Sequence, residues 1–252
     1  MTGNSFKFLG YRYWLESRSR FFIAAILLFA ITLYIFGHAG SVISLHPGIH
    51  AGRIINFTQF VWVVLYKGYF LTIFTLSSFI FGLGGLNQER ENGNALFTLS
   101  LPVKRISLMQ SKIGIASLQV IALSLLSALF VPALAFLYGY HYPISDAFLF
   151  SCLITAGGLT FMLLGVFLSL FISKQLLIIP AGLSIMATIY FVTKLPSLKH
   201  FNIFSFMTGA GYLNNDDFLF NQNINIPGIC LSLLVLFISV PVLGFCARRM
   251  DL

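Results

Sequence analysis

Glu89–Lys112 reads ERENGNALFTLSLPVKRISLMQSK. It is a polar, charged island between two long apolar runs, in a chain that is otherwise almost all apolar. A loop joining two membrane spans needs only turn residues. This stretch instead reads as a short amphipathic helix, then a Ser-Leu-Pro break, then two basic residues, then another span. A compact helix held at a membrane surface by a span on each side is what a membrane protein needs to receive force from a soluble partner.

Composition fixes the class around that island. Hydrophobic residues make up 58% of the 252 residues and charged residues 9%, with a mean hydropathy of +0.91. A soluble domain carries roughly 25% charged residues, so this chain has too little polar surface to face water. It reads as an all-α integral membrane protein in a single transmembrane domain over residues 1–252. The formal charge is +8. Lys and Arg lie at span ends rather than on one face of a folded domain, so the basic balance reflects membrane orientation and not nucleic acid.

A span needs about 20 mainly apolar residues to cross a core of roughly 30 Å. Six stretches qualify: 21–37, 57–86, 108–137, 147–172, 175–192 and 229–247. The first begins well inside the chain without a clear small-residue cleavage site, which argues against a signal peptide. With the N-terminus inside, the inner segments hold Lys7, Arg12, Arg18, Arg20, Arg90, Lys104, Arg105, Lys112, Lys174, Arg248 and Arg249. The outer side keeps Arg53, Lys67, Lys194 and Lys199. Eleven of the 15 cations therefore fall inside, which puts both termini in the cytoplasm of a multi-pass cell-membrane protein. Lys67 falls at the outer interface, where it can snorkel. The apolar Phe57–Tyr66 before it reads as an outward extension of the second helix or an interfacial segment.

Outside the spans, residues 1–20 have Phe6, Leu9 and Tyr13 at helical spacing, with cations elsewhere on the helix. This suits a helix lying in the cytoplasmic interface or a plain basic anchor for the first span. Residues 194–228 form a long outer connection that holds Phe201, Ile203, Phe204, Phe206, Met207, Phe218, Leu219 and Phe220. A freely solvated loop would not keep so many aromatics. Two short helices dipping into or lying on the outer leaflet fit better, and irregular backbone at that depth must be covered by protein or line a cavity.

Chemistry-bearing constellations are sparse. Cys152, Cys230 and Cys246 have no paired spacing and read as apolar core residues. All five histidines fall on the outer side. His46 and His50 are four apart, but Pro47 and Gly48 between them argue against one helical face, so scattered polar residues suit them better than a metal site. No catalytic residue and no metal ligand set stands out. No carboxylate lies inside the spans as drawn, which argues against a proton relay. No GxxxxGK[ST] loop occurs, so any energy from a nucleotide must come from another subunit. Small residues gather at Gly82, Gly84 and Gly85, at Gly114, Ser117, Ser124 and Ser127, and at Ala156, Gly157, Gly158 and Gly165. Such residues let helices approach closely in a membrane. Pro132, Pro180 and Pro241 suggest kinks.

Glu91-x-Gly93, followed by Leu99-Ser100-Leu101-Pro102-Val103-Lys104-Arg105 and then Lys112, resembles the signature of type-2 ABC transporter permeases. Asn94 stands where Thr is usual there, and Lys104 where Ser or Thr is usual. RYWLESRSRFF over Arg12–Phe22 is similar to the basic elbow of that family, with Arg12, Trp14, Glu16 and Arg18 as its polar and aromatic members. The resemblance implies six spans, an interfacial elbow helix over 1–20, a cytoplasmic coupling helix over 87–101, and short outer re-entrant helices before the last span. It implies a dimer, with a second copy or a paralogue, bound to a cytoplasmic ABC ATPase that holds ATP and Mg. This chain itself would be no enzyme and bind no cofactor. Glu89, Arg90, Glu91, Gly93, Leu96, Ser100, Pro102 and Arg105 would then contact the ATPase. Phe201, Phe204 and Phe206 would line the outer end of the cargo path. Two other classes stay open: a membrane anchor or sensor that binds such an ATPase without transporting, and a membrane-embedded lipid-modifying enzyme. The latter needs clustered His, Asp, Glu or Arg at one membrane face, and the sequence offers none.

Overall fold

The computed structural model describes residues 3–44, 57–83, 105–172, 175–195 and 202–213. Every secondary-structure element among these residues is a helix. They are α1 (Gly3–Ser44), α2 (Phe57–Gly82), α3 (Arg105–Leu137), α4 (Ile144–Phe171), α5 (Gln175–Val192) and α6 (Ile203–Met207). Parts of α1, α2, α3 and α4 are long and apolar enough to cross a membrane, so the protein is membrane-embedded. The apolar part of α5, Leu177–Val192, is shorter. The span expected over 229–247 and the coupling helix over 87–101 lie outside the described residues. So do Phe201 and the site residues Glu89, Arg90, Glu91, Gly93, Leu96, Ser100 and Pro102. Arg105 is the first residue of α3.

The N-terminal segment departs from the expected elbow. Gly3–Ser44 is one helix of 42 residues, so residues 3–20 continue the first span instead of turning away from it. The reason is local. An interfacial helix must leave the span axis, which requires a break in the helical hydrogen-bond ladder. No Gly or Pro lies between Gly10 and Gly37 to supply one. Leu9 and Tyr13 pack instead against Leu108 and Ile115 near the start of α3.

α4 is the centre of the bundle. In its most apolar window 78% of residues are buried, against 33% for α1. It packs along both α2 and α3, while α1 lies against α3 and α2. Glycines make the closest approach possible. A Cβ on Gly82 would run into the Met162 carbonyl, and one on Gly165 into the Phe79 carbonyl. Backbones that close gain dispersion contacts, which carry much of the association where lipid removes the hydrophobic drive. Gly158 sits against Phe74, Ser78 and Val120. Between α3 and α4 the Thr155 hydroxyl donates to Ser124 Oγ at 2.5 Å. Most other hydroxyls in the bundle donate to carbonyls of their own helix, such as Thr32 to Leu28 and Ser169 to Val166. That satisfies them without water.

α2 is irregular. Val61–Phe70 is wound as a π-helix, and Gly68 has non-helical angles at φ −92 and ψ −107. The extension Phe57–Tyr66 is therefore helical and continuous with the second span, but the join is a break rather than a straight run. Pro132 and Pro180 both sit inside helices.

The two ends of the bundle differ in chemistry. One gathers aromatic rings. Phe57 stacks on Tyr140 at 4.2 Å and meets Phe36 at 5.4 Å. The ring of Tyr34 lies 4.4 Å from that of His38, and Gly37 and Gly40 admit the hydroxyls of Tyr138 and Tyr140. Such belts mark a membrane–water boundary. The other end carries Arg12, Arg18 and Arg20. If the cation bias sets orientation, that basic end is cytoplasmic. A cysteine at the exposed Ser145, with the three native cysteines replaced, is then expected to react with an impermeant maleimide outside intact cells. A cysteine at Asn92 is expected to react only after permeabilisation. The reverse pattern would invert the topology.

Candidate functional site at the embedded hairpin and the basic end

The outer segment enters the bundle deeply. Its described part is α6, whose N-cap is Asn202, with the side-chain oxygen accepting from the amides of Phe204 and Ser205. Met207 is fully buried and fills the notch left by Gly157. Gly157 lies about 20 Å along α4 from Ile144 at roughly 1.5 Å per residue, near the middle of that 28-residue helix. This short helix-and-turn hairpin, residues 202–213, thus reaches the level of the middle of α4. Phe204 is wedged between Phe161, at 5.3 Å, and Tyr190, at 5.4 Å. Phe206 is half-buried beside it. Phe204, one of the residues expected along the outer cargo path, is thus packed between α4 and α5.

Trp62 ties the same hairpin to α2. Its indole nitrogen donates to the Thr208 carbonyl at 2.8 Å. Lys67 lies over the Trp62 ring, with the ammonium 5.1 Å from its centroid. In an α-helix residues five apart diverge, but the wider π winding, with its i→i+5 bonds, brings them closer to one face. Lys67 is at most about 15 Å along α2 from Phe57, which belongs to the aromatic belt. A charge near the centre of a span costs about 2.5–3.5 kcal/mol on insertion scales. The exposed Lys67 side chain therefore needs a polar surrounding or a short route to one. At the C-terminal end of α5 a second cation, Lys194, lies 4.3 Å over the Tyr190 ring.

A buried carboxylate was missed by the sequence reading. Asp146 sits in the first turn of α4 and is 8% exposed, so the fourth helix does carry an acid. Tyr66 and Tyr142 are buried near it, and Tyr66 stacks on Phe150 at 4.3 Å. Ser145 Oγ donates to Asp146 Oδ1 at 3.4 Å. A carboxylate in a first turn is favoured by the helix dipole there, which gives Asp146 a structural reason for its place. Burial pushes the Tyr142 phenol well above its usual value, with Tyr66 and Asp146 adding to it; Tyr142 therefore stays neutral at physiological pH. The sequence signal was present in Tyr142-Pro143-Ile144-Ser145-Asp146, where Pro fixes the entry and an acid sits in the first turn. Cys152 also departs from the core position expected of it. It is exposed on α4 rather than in the core.

At the basic end, Arg12 Nε donates to Glu16 Oε1 at 3.3 Å, and Trp14 packs its ring against Phe21 at 5.8 Å. Arg18 is exposed. Gln119 Nε2 donates to Ser17 Oγ at 2.6 Å, which pins α1 to α3. Arg20 donates to the Leu83 carbonyl at 3.4 Å, where a cation complements the C-terminal end of α2. The chain therefore leaves α2 towards Glu89–Lys104 directly beside the basic part of α1. Of the sequence-derived residues, the structure brings together Arg12 with Glu16, and Phe204 with the hairpin socket. It does not bring the elbow residues near Phe204.

Among the described residues no group of three or more His, Cys, Asp or Glu is arranged to hold a metal. No protein-family model matches the chain, and no curated protein or solved structure matches it significantly.

Proposed function

We propose that this chain is the membrane-spanning subunit of an ATP-binding-cassette exporter. It has six spans, pairs with a second copy or a paralogue, and moves cargo out of the cytoplasm or inner leaflet. A separate cytoplasmic ATPase hydrolyses ATP. The observation that carries this reading is the charged island Glu89–Lys112 between the second and third membrane helices, with its resemblance to the permease signature. The bond from Arg20 to Leu83 supports it, because it holds the C-terminal end of α2, six residues before the island in sequence, against the basic segment of α1. The island would form the coupling helix, and Glu89 and Glu91 would meet Arg or Lys of the ATPase. The deep hairpin would close the far end of the cargo path.

The chain carries no phosphate-binding loop of its own, so the purified protein is expected to hydrolyse no ATP. Coexpression with a soluble P-loop ATPase from a neighbouring reading frame is expected to yield a stable complex whose ATPase activity rises on reconstitution into lipid. Failure of every such neighbour to copurify, with the chain itself well folded, would sink the exporter assignment.

A further inference from the structure

We infer that Lys67 and Trp62 form a recognition site for the anionic headgroup of an amphiphile, a phosphate or carboxylate carried on an apolar tail. Its physiological use as a cargo site rests on the exporter reading; its chemistry does not. Lys67 makes no ion pair among the described residues, and its ammonium is exposed. Contact with the Trp62 face uses the charge but none of the three N–H donors. Those donors remain to be satisfied by a ligand or by water.

Three features show that the pair is built rather than incidental. The π winding of Val61–Phe70 brings residues five apart closer to one face. The ring beneath the cation is fixed from the other side by the bond from Trp62 to Thr208, so the hairpin sets the position of the platform. Gly68, next to the lysine, breaks the helix. Irregular backbone at membrane depth is tolerated where it is covered by protein or lines a wet cavity, and not where it faces lipid tails. The Gly68 carbonyl still accepts from the Leu71 amide and the Thr72 hydroxyl, so the break and the exposed cation, which has no ion pair among the described residues, mark one stretch where the regular apolar surface of α2 is interrupted. An exposed cation at most about 15 Å from the aromatic belt, beside the exposed Tyr69 ring on an apolar membrane helix, suits a ligand with an anionic head and an apolar tail better than a free inorganic anion.

Trp62 reports on its own site. The chain has two tryptophans, and the Trp62 signal is the difference between the wild-type chain and Trp62→Phe. In uncharged maltoside micelles, dodecyl phosphate is expected to shift this signal in a saturable way. Dodecyltrimethylammonium and inorganic phosphate are expected to leave it unchanged. Lys67→Gln should weaken the apparent affinity about tenfold or more, the size of one lost charge-assisted contact. Lys67→Arg should retain it. In phosphatidylcholine nanodiscs, stronger quenching of Trp62 by brominated phosphatidylglycerol than by brominated phosphatidylcholine would name the membrane's own anionic lipid as occupant. Equal quenching there, with dodecyl phosphate still bound, would name a non-bilayer amphiphile. The inference is overturned by equal responses to the anionic and cationic amphiphiles, by the same response to inorganic phosphate, or by indifference to Lys67→Gln. None of these measurements involves an ATPase, so the exporter assignment can fail while the site stands.

Discussion

Reversing Glu89 and Glu91 together to Lys is expected to abolish both copurification with the ATPase and export, while the chain still inserts and folds. Both residues follow the end of α2 in the sequence and belong to none of the described helices. Their two possible roles differ in magnitude. As helix-terminal acids they would interact with the macrodipole, worth about 0.3–1 kcal/mol each, and reversal would leave a complex weakened by at most a few-fold to tens-fold. As partners of basic groups on an ATPase, they would face like charges after reversal, and like-charge contact at an interface costs several kcal/mol. That is enough to lose a complex of ordinary affinity. The neutral pair Glu89→Gln and Glu91→Gln separates the two further, because it removes attraction without adding repulsion and should leave partial binding. Pull-down of the ATPase from detergent extracts and export from intact cells read the two effects. Copurification and export both intact in the double reversal would reduce these glutamates to ordinary caps.

How much of the molecule was legible in the sequence depends on the physical signal involved. Hydropathy over some twenty residues is strong, and it located the helices realised as α2, α3 and α4 with end shifts of only a few residues. The start of α4 moved from Ala147 to Ile144, and that small shift hid Asp146. A boundary drawn where polarity begins will always exclude an acid in a first turn. The expected elbow over 1–20 is not set off from the first span as a separate helix, for the opposite reason. Charge marks which side of a membrane a segment prefers, but only a break in the helix makes it turn, and Arg12–Phe22 contains none. The π winding of Val61–Phe70 has no compositional mark apart from Gly68, so the pairing of Lys67 with Trp62 could not be read. Lys67 appeared simply as an interfacial cation. The hairpin was half legible. Its aromatics announced burial, and Gly157 announced a close approach, but nothing in the sequence joined Met207 to Gly157. That pairing joins residues 50 apart in the sequence, and local preference carries no signal over such a distance.

Gly165→Leu and Gly82→Leu are expected to cost the most stability of any single changes within the described bundle. Each glycine faces backbone across the α2–α4 crossing, Gly165 against the Phe79 carbonyl and Gly82 against the Met162 carbonyl. A flexible side chain could move aside for a new Cβ. A carbonyl held in a helix cannot, so the helices must separate or bend. Overpacking ordinarily costs about 1–3 kcal/mol, and a backbone clash in the most buried helix should reach the upper end or exceed it. Even Gly165→Ala should lose stability, although alanine favours helix by about 1 kcal/mol over glycine. Gly114 is the internal control. It lies in α3 with no atom within 4 Å of a Cβ built there, so Gly114→Ala should gain stability by up to that propensity difference. Unfolding midpoints in detergent give both signs in one experiment. A midpoint unchanged in Gly165→Ala, or lowered as far in Gly114→Ala, would mean that α2 and α4 do not cross at these glycines. Trp62, which sits on α2 and holds the hairpin at the level of the middle of α4, would then lose the geometry on which the anion site depends.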